Sequence, residues 1–229
     1  MSIKSNVKNI KDQIKSLKNK NGIDREVFIM AATKTRNVRE IQEAVDAGIN
    51  YIGENRIQEA MDKFHQLNRD VHRHFIGHLQ LNKVKYATRL FECIQSVDRK
   101  ELIDEIIKRL PSEKDIIEIF IEVNITEEKT KHGLNKNQVE DLIKYIEDKK
   151  KILLKGFMTM FPYDADEAYI KSKAQEMYKL FNNMKKYNND SNIQIDYLSM
   201  GMSSDYKIAV QEGSNMVRLG SAIFGERSY

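Results

Sequence analysis

The chain has 229 residues and a single cysteine, Cys93, so it cannot form an intrachain disulfide. Such low cysteine usage is typical of proteins that fold in a reducing compartment, and we expect a cytoplasmic protein. No apolar run approaches the roughly 20 residues that a membrane-spanning helix needs. The first twenty residues also lack the continuous apolar core of a signal peptide, so neither a membrane partner nor secretion is predicted.

Proline is scarce as well. The two prolines, Pro111 and Pro162, both fall outside the helices that the sequence pattern predicts. No low-complexity linker divides the chain, so we expect residues 1–229 to form one domain. A Gly-x-Gly-x-x-Gly turn is missing after the first apolar run, which argues against the dinucleotide-binding type of open sheet.

The charge balance is only slightly positive, with 38 Lys and Arg against 34 Asp and Glu and a formal net charge of +4. A basic surplus can indicate a nucleic-acid partner. Here, however, the basic residues alternate with acids along predicted helices, as in residues 101–109, and no nucleic-acid-binding motif occurs. Solvated helix faces are the favoured explanation, and no nucleic-acid partner is expected.

The N-terminal segment, residues 1–20, has the pattern of an amphipathic helix. Its apolar side chains recur every three or four residues, and they are Ile3, Val7, Ile10, Ile14 and Leu17. A helix packed on the rest of the protein is favoured over one that lies on a membrane surface.

Beyond this helix, strand-like and helix-like segments alternate to the end of the chain. The predicted strands are 26–33, 50–53, 73–77, 92–96, 115–124, 152–159, 194–199 and 215–219. The predicted helices are 37–47, one from 55, one from 82, 99–110, 136–149, 165–187, 203–212 and a short terminal one. Such alternation is typical of parallel βαβ units, and eight strands are the number that closes a TIM-type (β/α)8 barrel. An open doubly wound sheet is the alternative.

Two helix starts carry capping-box patterns, in which a cap residue precedes an acidic residue by three positions. These pairs are Asn37 with Glu40 and Asp98 with Glu101.

Lys34 directly follows the first predicted strand. In a barrel, the carboxyl ends of the strands meet at one rim, where catalytic side chains gather. A lysine amine at that rim can condense with an aldehyde to form a Schiff base. The alternative is a solvated lysine that has no chemical role.

Small residues follow the seventh and eighth predicted strands at Ser199, Gly201, Gly220 and Ser221. In barrels of this type, backbone N–H groups at these two positions often hold a phosphate. Ordinary turn chemistry also favours Gly and Ser here, and each segment alone is weak evidence. Together the two segments favour a phosphate site.

Arg218 lies within a short apolar strand, 216–219. A buried guanidinium stays charged and needs acceptors. Either it forms a structural salt bridge, or it faces the ring nitrogen of a bound cofactor.

The histidines give weaker signals. His72 and His74 would lie on one side of a strand, but no third ligand has fitting spacing, and we predict no metal site. His78 falls on the proposed rim without an assigned role. Cys93 is best explained as a small buried apolar residue.

With these residues in place, the chain resembles the pyridoxal phosphate homeostasis protein family, whose barrels are similar to the cofactor-binding domain of alanine racemase. The segments that carry the resemblance are Ala31-Ala32-Thr33-Lys34-Thr35, Gly53-Glu54-Asn55, His74–Lys83, Ser96-Val97-Asp98-Arg99, Val123-Asn124-Ile125, Gly133-Leu134, Leu198–Asp205 and Val217–Gly225. One departure is Phe161, where the family usually has a smaller residue before the proline.

The resemblance implies that Lys34 carries pyridoxal 5'-phosphate (PLP) as a Schiff base. Ser199, Gly201, Gly220 and Ser221 would hold its phosphate and Arg218 would face its ring nitrogen, while Asn55 would lie near the ring. The family is associated with intracellular balance of vitamin B6 and of amino and keto acids, and the resemblance implies that this protein binds PLP and hands it over. PLP-dependent apo-enzymes would be the recipients, and we expect a monomer.

Catalysis is not expected. An arginine cannot protonate the pyridine nitrogen, so it weakens the ring as an electron sink. The related racemase also takes a second base from an additional domain, which we do not expect in a chain that ends at Tyr229. The leading hypothesis is therefore a PLP-binding homeostatic protein. A small racemase or decarboxylase of the same fold (fold type III) is the alternative, and a phosphate-binding barrel without pyridoxal is a weaker third.

Overall fold

In the computed structural model, which describes residues 2–67, 70–128 and 132–226, parallel strands close into a barrel in the order of the chain. The strands are β1 Phe28–Ala32, β2 Tyr51–Glu54, β3 His72–Phe75, β4 Cys93–Val97, β5 Ile117–Glu122, β6 Ile152–Met158, β7 Ile193–Ser199 and β8 Met216–Leu219. The α-helices are α1 Ile3–Asn21, α2 Val38–Asp46, α3 Ile57–Lys63, α4 Val84–Leu90, α5 Lys100–Arg109, α6 Val139–Ile146, α7 Glu167–Met184, α8 Tyr206–Gln211 and α9 Ser221–Phe224. The predicted (β/α)8 barrel with an extra N-terminal helix is confirmed, and the open sheet is excluded.

Closure of the barrel joins the first strand to the last. Met30 of β1 pairs with Tyr51 of β2 on one side and with Arg218 of β8 on the other. The segment after β8 therefore lies beside the segment after β1. This pairing brings Lys34 and the Gly220–Ser221 turn to one part of the rim.

Two apolar layers hold the barrel together. The interior contains a small buried cluster, and the larger core lies between the strands and the surrounding helices. The interior cluster consists of Met30, Ile76, Cys93, Phe120, Met158 and Met216. The prediction that Cys93 is a buried apolar residue is thereby confirmed.

One of the two predicted capping boxes is present and the other is wrong. The Asn37 side chain accepts from the Glu40 N–H, and the Glu40 carboxylate accepts from the Asn37 N–H. Helix α5, in contrast, has Arg99 as its N-cap, without a side-chain cap hydrogen bond. Asp98 lies one residue too early to cap it, and its carboxylate instead contacts the Arg99 guanidinium at 2.5 Å.

Helix α1 docks on the barrel, as its apolar stripe predicts. Val7, Ile10 and Ile14 are buried. The Asn6 amide donates to the carbonyl oxygen of Ile223 in α9 (2.9 Å), and the Tyr206 hydroxyl of α8 donates to the Gln13 side chain (2.7 Å). The helix thus braces the two short helices that follow the β7 and β8 segments of the rim. Within the described residues, no helix combines the length and apolar character needed to cross a membrane.

Candidate cofactor site

A cavity of about 550 Å³ opens at the carboxyl ends of the strands, where β1 meets β8. It is lined by residues that follow β1, β6, β7 and β8, among them Lys34, Arg36, Tyr163, Met202, Ser203, Ser204, Arg218, Gly220 and Ser221. Four of the seven predicted site residues are therefore together in one pocket. Ser199, Gly201 and Asn55 are not part of its lining.

The turn that carries Lys34 is held in a conformation that side chains rarely adopt. Thr35 has a φ of 64°, in the left-handed region that is costly for a β-branched residue. Its N–H donates to the Glu59 carboxylate at 2.7 Å. On the other side of Lys34, the Thr33 carbonyl oxygen accepts from the Lys63 ammonium at 3.3 Å. Both flanks of Lys34 are therefore anchored to α3.

The Lys34 turn is held by a cluster of charged side chains, Lys63 and Glu59 of α3 and Glu54 of β2. The Lys63 ammonium lies 3.3 Å from Glu54 and 2.7 Å from Glu59. Burial raises the pKa of Glu54, although the Lys63 charge opposes this effect. Burial would also raise the pKa of Glu59, but hydrogen bonds from Lys63 and from the Thr35 N–H outweigh it and lower the pKa. Glu59 is therefore held as a carboxylate next to the Lys34 turn.

Ser199 lies inside the barrel, below the pocket. Its side chain is fully buried. Its hydroxyl donates to the side-chain oxygen Oε1 of Gln95 at 2.8 Å and accepts from the Arg218 guanidinium at 2.8 Å. The one proton of the Ser199 hydroxyl is therefore donated within the barrel interior. The structure thus connects Ser199 to the arginine rather than to the phosphate segment.

Gly201 shapes the loop between β7 and α8. It has a φ of 101°, and an added Cβ would lie 2.7 Å from the Ala209 Cβ and 3.0 Å from the Tyr206 Cα. Its carbonyl oxygen accepts from the Arg218 N–H at 2.9 Å. Only glycine allows the loop to pass this close to α8, so Gly201 fixes the path of the segment that leads to Ser203 and Ser204.

Arg218 is buried, with 4% of its surface exposed, as its place in an apolar strand predicts. Its guanidinium donates to the carbonyl oxygens of Ser199 and Thr159, both at 2.7 Å, and to the Ser199 hydroxyl. Burial lowers the pKa of Arg218 to about 10, so it remains charged at neutral pH.

The salt-bridge explanation for Arg218 fails for the part of the chain that the structure describes. All of its acceptors there are neutral oxygens, and the charges of Asp205 and Glu122 act on it only from further away. Two of its five N–H groups have no acceptor among the described residues. Because the side chain lines the cavity, these donors are available to an acceptor bound there.

The segments after β7 and β8 are joined by one hydroxyl. The Ser203 side chain accepts from the N–H groups of Gly220 (3.2 Å) and Ala222 (3.1 Å). Within the described ranges, the N–H groups of Ser203, Ser204 and Ser221 have no acceptor. Sequence reasoning did not select Ser203 and Ser204 as site residues, although both lie in the Leu198–Asp205 motif. A serine that follows a strand is too common to indicate a binding site, so only the Leu198–Asp205 motif could have identified these two residues.

Asn55 lies at the end of β2, outside the pocket lining. Its N–H donates to the Glu54 carboxylate at 2.9 Å. Its side-chain oxygen is buried and has no hydrogen-bond partner among the described residues. A buried acceptor without a donor is unfavourable and is typical of positions that await a ligand or water. Its placement near a cofactor ring stays a prediction.

His78 belongs to a rim cluster that could be considered for metal binding. Ligand atoms of His78, Asp98 and His132 all lie within 4.8 Å of one another. The two imidazole rings, however, are stacked, with centroids 3.7 Å apart and planes 16° apart. A metal ion binds in the plane of an imidazole, and near-parallel planes do not share such a point. The cluster as it stands does not form a metal centre.

The sequence matches the family described as alanine racemase, N-terminal domain, over residues 5–228. Among curated proteins, it is similar to the pyridoxal phosphate homeostasis protein of Pasteurella multocida, with 39% identity over 207 residues. That match covers 89% of this chain and 88% of the relative.

Solved structures show the same fold. A protein of unknown function from Bifidobacterium adolescentis superposes with a TM-score of 0.90 at 31% identity, over 97% of this chain and 94% of the other. PipY of Synechococcus elongatus, solved with PLP bound, gives a TM-score of 0.84 at 24% identity, over 98% of this chain and all of PipY. The chain therefore belongs to the alanine racemase N-terminal domain family, in the group of pyridoxal phosphate homeostasis proteins.

Proposed function

We propose that this protein binds PLP in the pocket between β1 and β8 and takes part in the intracellular homeostasis of PLP and of amino and keto acids. The observation that carries the proposal is the convergence of Lys34, Arg218 and the Ser203–Ser204 and Gly220–Ser221 segments on one cavity. An aldehyde, a ring nitrogen and a phosphate are the three features of PLP, and each has a matching group here. The homeostasis proteins to which the chain is similar support the same function.

The residues of the pocket divide these tasks. Lys34 would hold PLP through a Schiff base on its Nζ, and the N–H groups of Ser203, Ser204 and Ser221 would bind the phosphate. Arg218 would donate to the ring nitrogen. Direct phosphate contacts from Ser199 and Gly201 stay a prediction, and their observed contacts favour a role in holding Arg218 and the loop.

A binding protein without turnover is the form of this function that we favour. When bound, PLP supplies an electron sink, whose strength depends on a protonated ring nitrogen. Arg218 keeps its proton, because a guanidinium is not a useful acid near neutral pH. An arginine donor therefore holds the ring nitrogen as an unprotonated acceptor, which suits storage and handover better than racemisation.

The proposal also covers the compartment, the oligomeric state and the recipients of PLP. We propose a single binding domain that acts as a cytoplasmic monomer and passes PLP to apo-enzymes that depend on it. The open cavity, lined by the 90% exposed Tyr163, supports access for a recipient.

An absorbance experiment tests the proposal. Wild-type protein that is incubated with PLP and then separated from unbound PLP should retain a visible absorbance band that borohydride bleaches, and Lys34→Met should lack it. Lys207→Met, which removes an exposed lysine on α8, is the matched control and should retain the band. A panel of amino acids should show no turnover above that of free PLP. A wild type that is colourless after loading with excess PLP and removal of the unbound cofactor would reject the function. Clear turnover would support the racemase or decarboxylase alternative.

A further inference from the structure

A second cavity, of about 350 Å³, adjoins the cofactor pocket on the β5 and β6 side of the rim. Tyr163 and Met202 line both cavities, so the two are neighbours. A molecule in the second cavity would therefore share these two walls with a molecule in the cofactor pocket.

The second cavity is lined by a buried acid, Glu122, whose carboxylate has no hydrogen-bond partner among the described residues. It is the last residue of β5, lies on the interior face with Phe120, and is 3% exposed. No described residue donates a hydrogen bond to its carboxylate. Gly133 packs closely on its aliphatic stem, since a Cβ added there would lie 3.2 Å from the Glu122 Cγ. The side chain is thus fixed in place while its charged end lacks a partner.

Burying a carboxylate lowers the stability of the fold unless a hydrogen-bond donor contacts it. Burial and the charge of Asp98 raise the pKa of Glu122 to about 7, and Arg218 only partly opposes them. A cationic hydrogen-bond donor in the cavity would remove this cost. The site therefore selects for positive charge.

The other walls define the rest of the ligand. Apart from Asn124 and His132, they are mainly apolar, with Met160, Phe161, Tyr163 and Met202 around the acid. Phe161, which departs from the family pattern, is 3% exposed and contributes one wall. Aromatic and thioether groups suit the aliphatic chain of an alkylammonium and stabilise its charge. An α-amino acid fits less well, because its own carboxylate would be repelled by Glu122 and Asp98.

We propose that the second cavity binds the ε-ammonium group of a lysine side chain against Glu122, and that this is the amine which displaces Lys34 when the cofactor is handed over. This inference rests on the proposed function and identifies the chemical class of the recipient group.

The displacement balances without an oxidant or reductant. The incoming ammonium gives one proton to the Glu122 carboxylate. Its nitrogen then forms a bond to the aldehyde-derived carbon, while the bond from that carbon to the Lys34 Nζ breaks. The two protons that remain on the incoming nitrogen pass to the Lys34 Nζ, which leaves as a primary amine, so one carbon–nitrogen double bond forms as the other breaks.

The test uses PLP-loaded protein and two nucleophiles that differ in charge. Nα-acetyl-lysine amide arrives as an ammonium, whereas hydroxylamine is neutral near pH 7. Glu122→Gln should slow displacement of Lys34 by the lysine compound about tenfold or more, and should leave hydroxylamine unchanged. The matched control is Glu118→Gln, at the opposite end of β5, which should change neither rate. When the amino acid alanine is the incoming amine, the rate at which it displaces Lys34 should depend little on Glu122.

A binding readout without the cofactor completes the test. In PLP-free protein, n-butylammonium should shift the NMR signal of the Gly133 amide in the wild type and in Glu118→Gln, but not in Glu122→Gln. If Glu122→Gln slowed displacement equally with both nucleophiles, or slowed it with neither, the inference would be overturned. An altered absorbance of Glu122→Gln before any amine is added would also overturn it, because Glu122 would then contact the cofactor itself. If the wild type forms no bleachable band, the proposed function fails instead.

Discussion

Arg218 is held by a directed chain of buried side chains that crosses the barrel interior. Its guanidinium donates to the Ser199 hydroxyl, which donates to Gln95, whose amide donates to the Nδ1 atom of His74 at 2.9 Å. Burial, with a smaller contribution from His72, lowers the pKa of His74 to about 3. His74 is therefore neutral at physiological pH and serves as the final acceptor. This chain orients the arginine at the pocket.

Of this chain of side chains, the sequence predicts the burial of Arg218 but not the positions of its partners. A lone arginine in the apolar segment 216–219 indicates burial, and Arg218 is buried. Gln95 and Ser199 gave no such signal, because the face on which a strand residue lies depends on barrel register. The phosphate contact of Ser199 stays a prediction. In the structure Ser199 is the last residue of β7, and its hydroxyl donates to the Gln95 side chain.

Substituting Arg218 tests its position at the ring. Arg218→Glu should favour a protonated ring nitrogen, because a carboxylate stabilises the pyridinium that a guanidinium disfavours. The absorbance band of the PLP-loaded protein, and its dependence on pH, should therefore change. Unfolding measured in parallel would show whether the barrel tolerates the acid. An unchanged spectrum in folded, loaded protein would mean that Arg218 does not face the ring.

His74 predicts a pH dependence of stability. In the unfolded chain it binds a proton below about pH 6.5, whereas in the fold it does so only near pH 3. The unfolded state thus binds more protons between these values, so this contribution to stability is complete above pH 6.5 and is lost as the pH falls. Between pH 6 and 4, the unfolding free energy of wild type should fall more steeply than that of His74→Gln, by up to about 1.4 kcal/mol per pH unit.

Chemical denaturation at several pH values measures these slopes. His65→Gln, which removes an exposed histidine outside the barrel strands, provides the control and should keep the wild-type slope. Equal slopes for wild type and His74→Gln would show that His74 is protonated in the fold.

Helix α1 links the two loops that are predicted to bind the phosphate, one after β7 and one after β8. It contacts α8 through Gln13 and α9 through Asn6, and these helices follow the loops that contain Ser203 and Ser221. The sequence predicted an amphipathic helix with its apolar face packed. It did not reveal which helices would receive that face, because an apolar stripe carries no information on its partner.

Removing one buried side chain of α1 should destabilise the whole barrel. Ile10 is 4% exposed within the main core, and Ile10→Ala should lower the unfolding free energy by about 2–4 kcal/mol through lost burial and a residual cavity. Lys8→Ala, on the exposed face of the same helix, should change it by less than about 0.5 kcal/mol. Comparable denaturation midpoints for the two variants would show that α1 is not part of the cooperative fold.

At the scale of the molecule, the alternation of segments predicts all eight strands within a few residues, because a helical pattern separates each strand from the next. Barrel closure then placed Lys34 beside Gly220, as expected from strands one and eight. The second cavity could not be predicted. It depends on the path of the loop after β6, which brings Phe161 and Tyr163 over Glu122, and loop paths follow from packing rather than from periodicity.

The most direct test of the central claim is to locate the modified residue. PLP-loaded protein should be reduced with borohydride, digested and analysed by mass spectrometry. The account predicts one modified peptide per chain, with the pyridoxyl group on Lys34. Modification of another lysine, such as the neighbouring Lys63, or an unmodified Lys34 under saturating PLP, would contradict it.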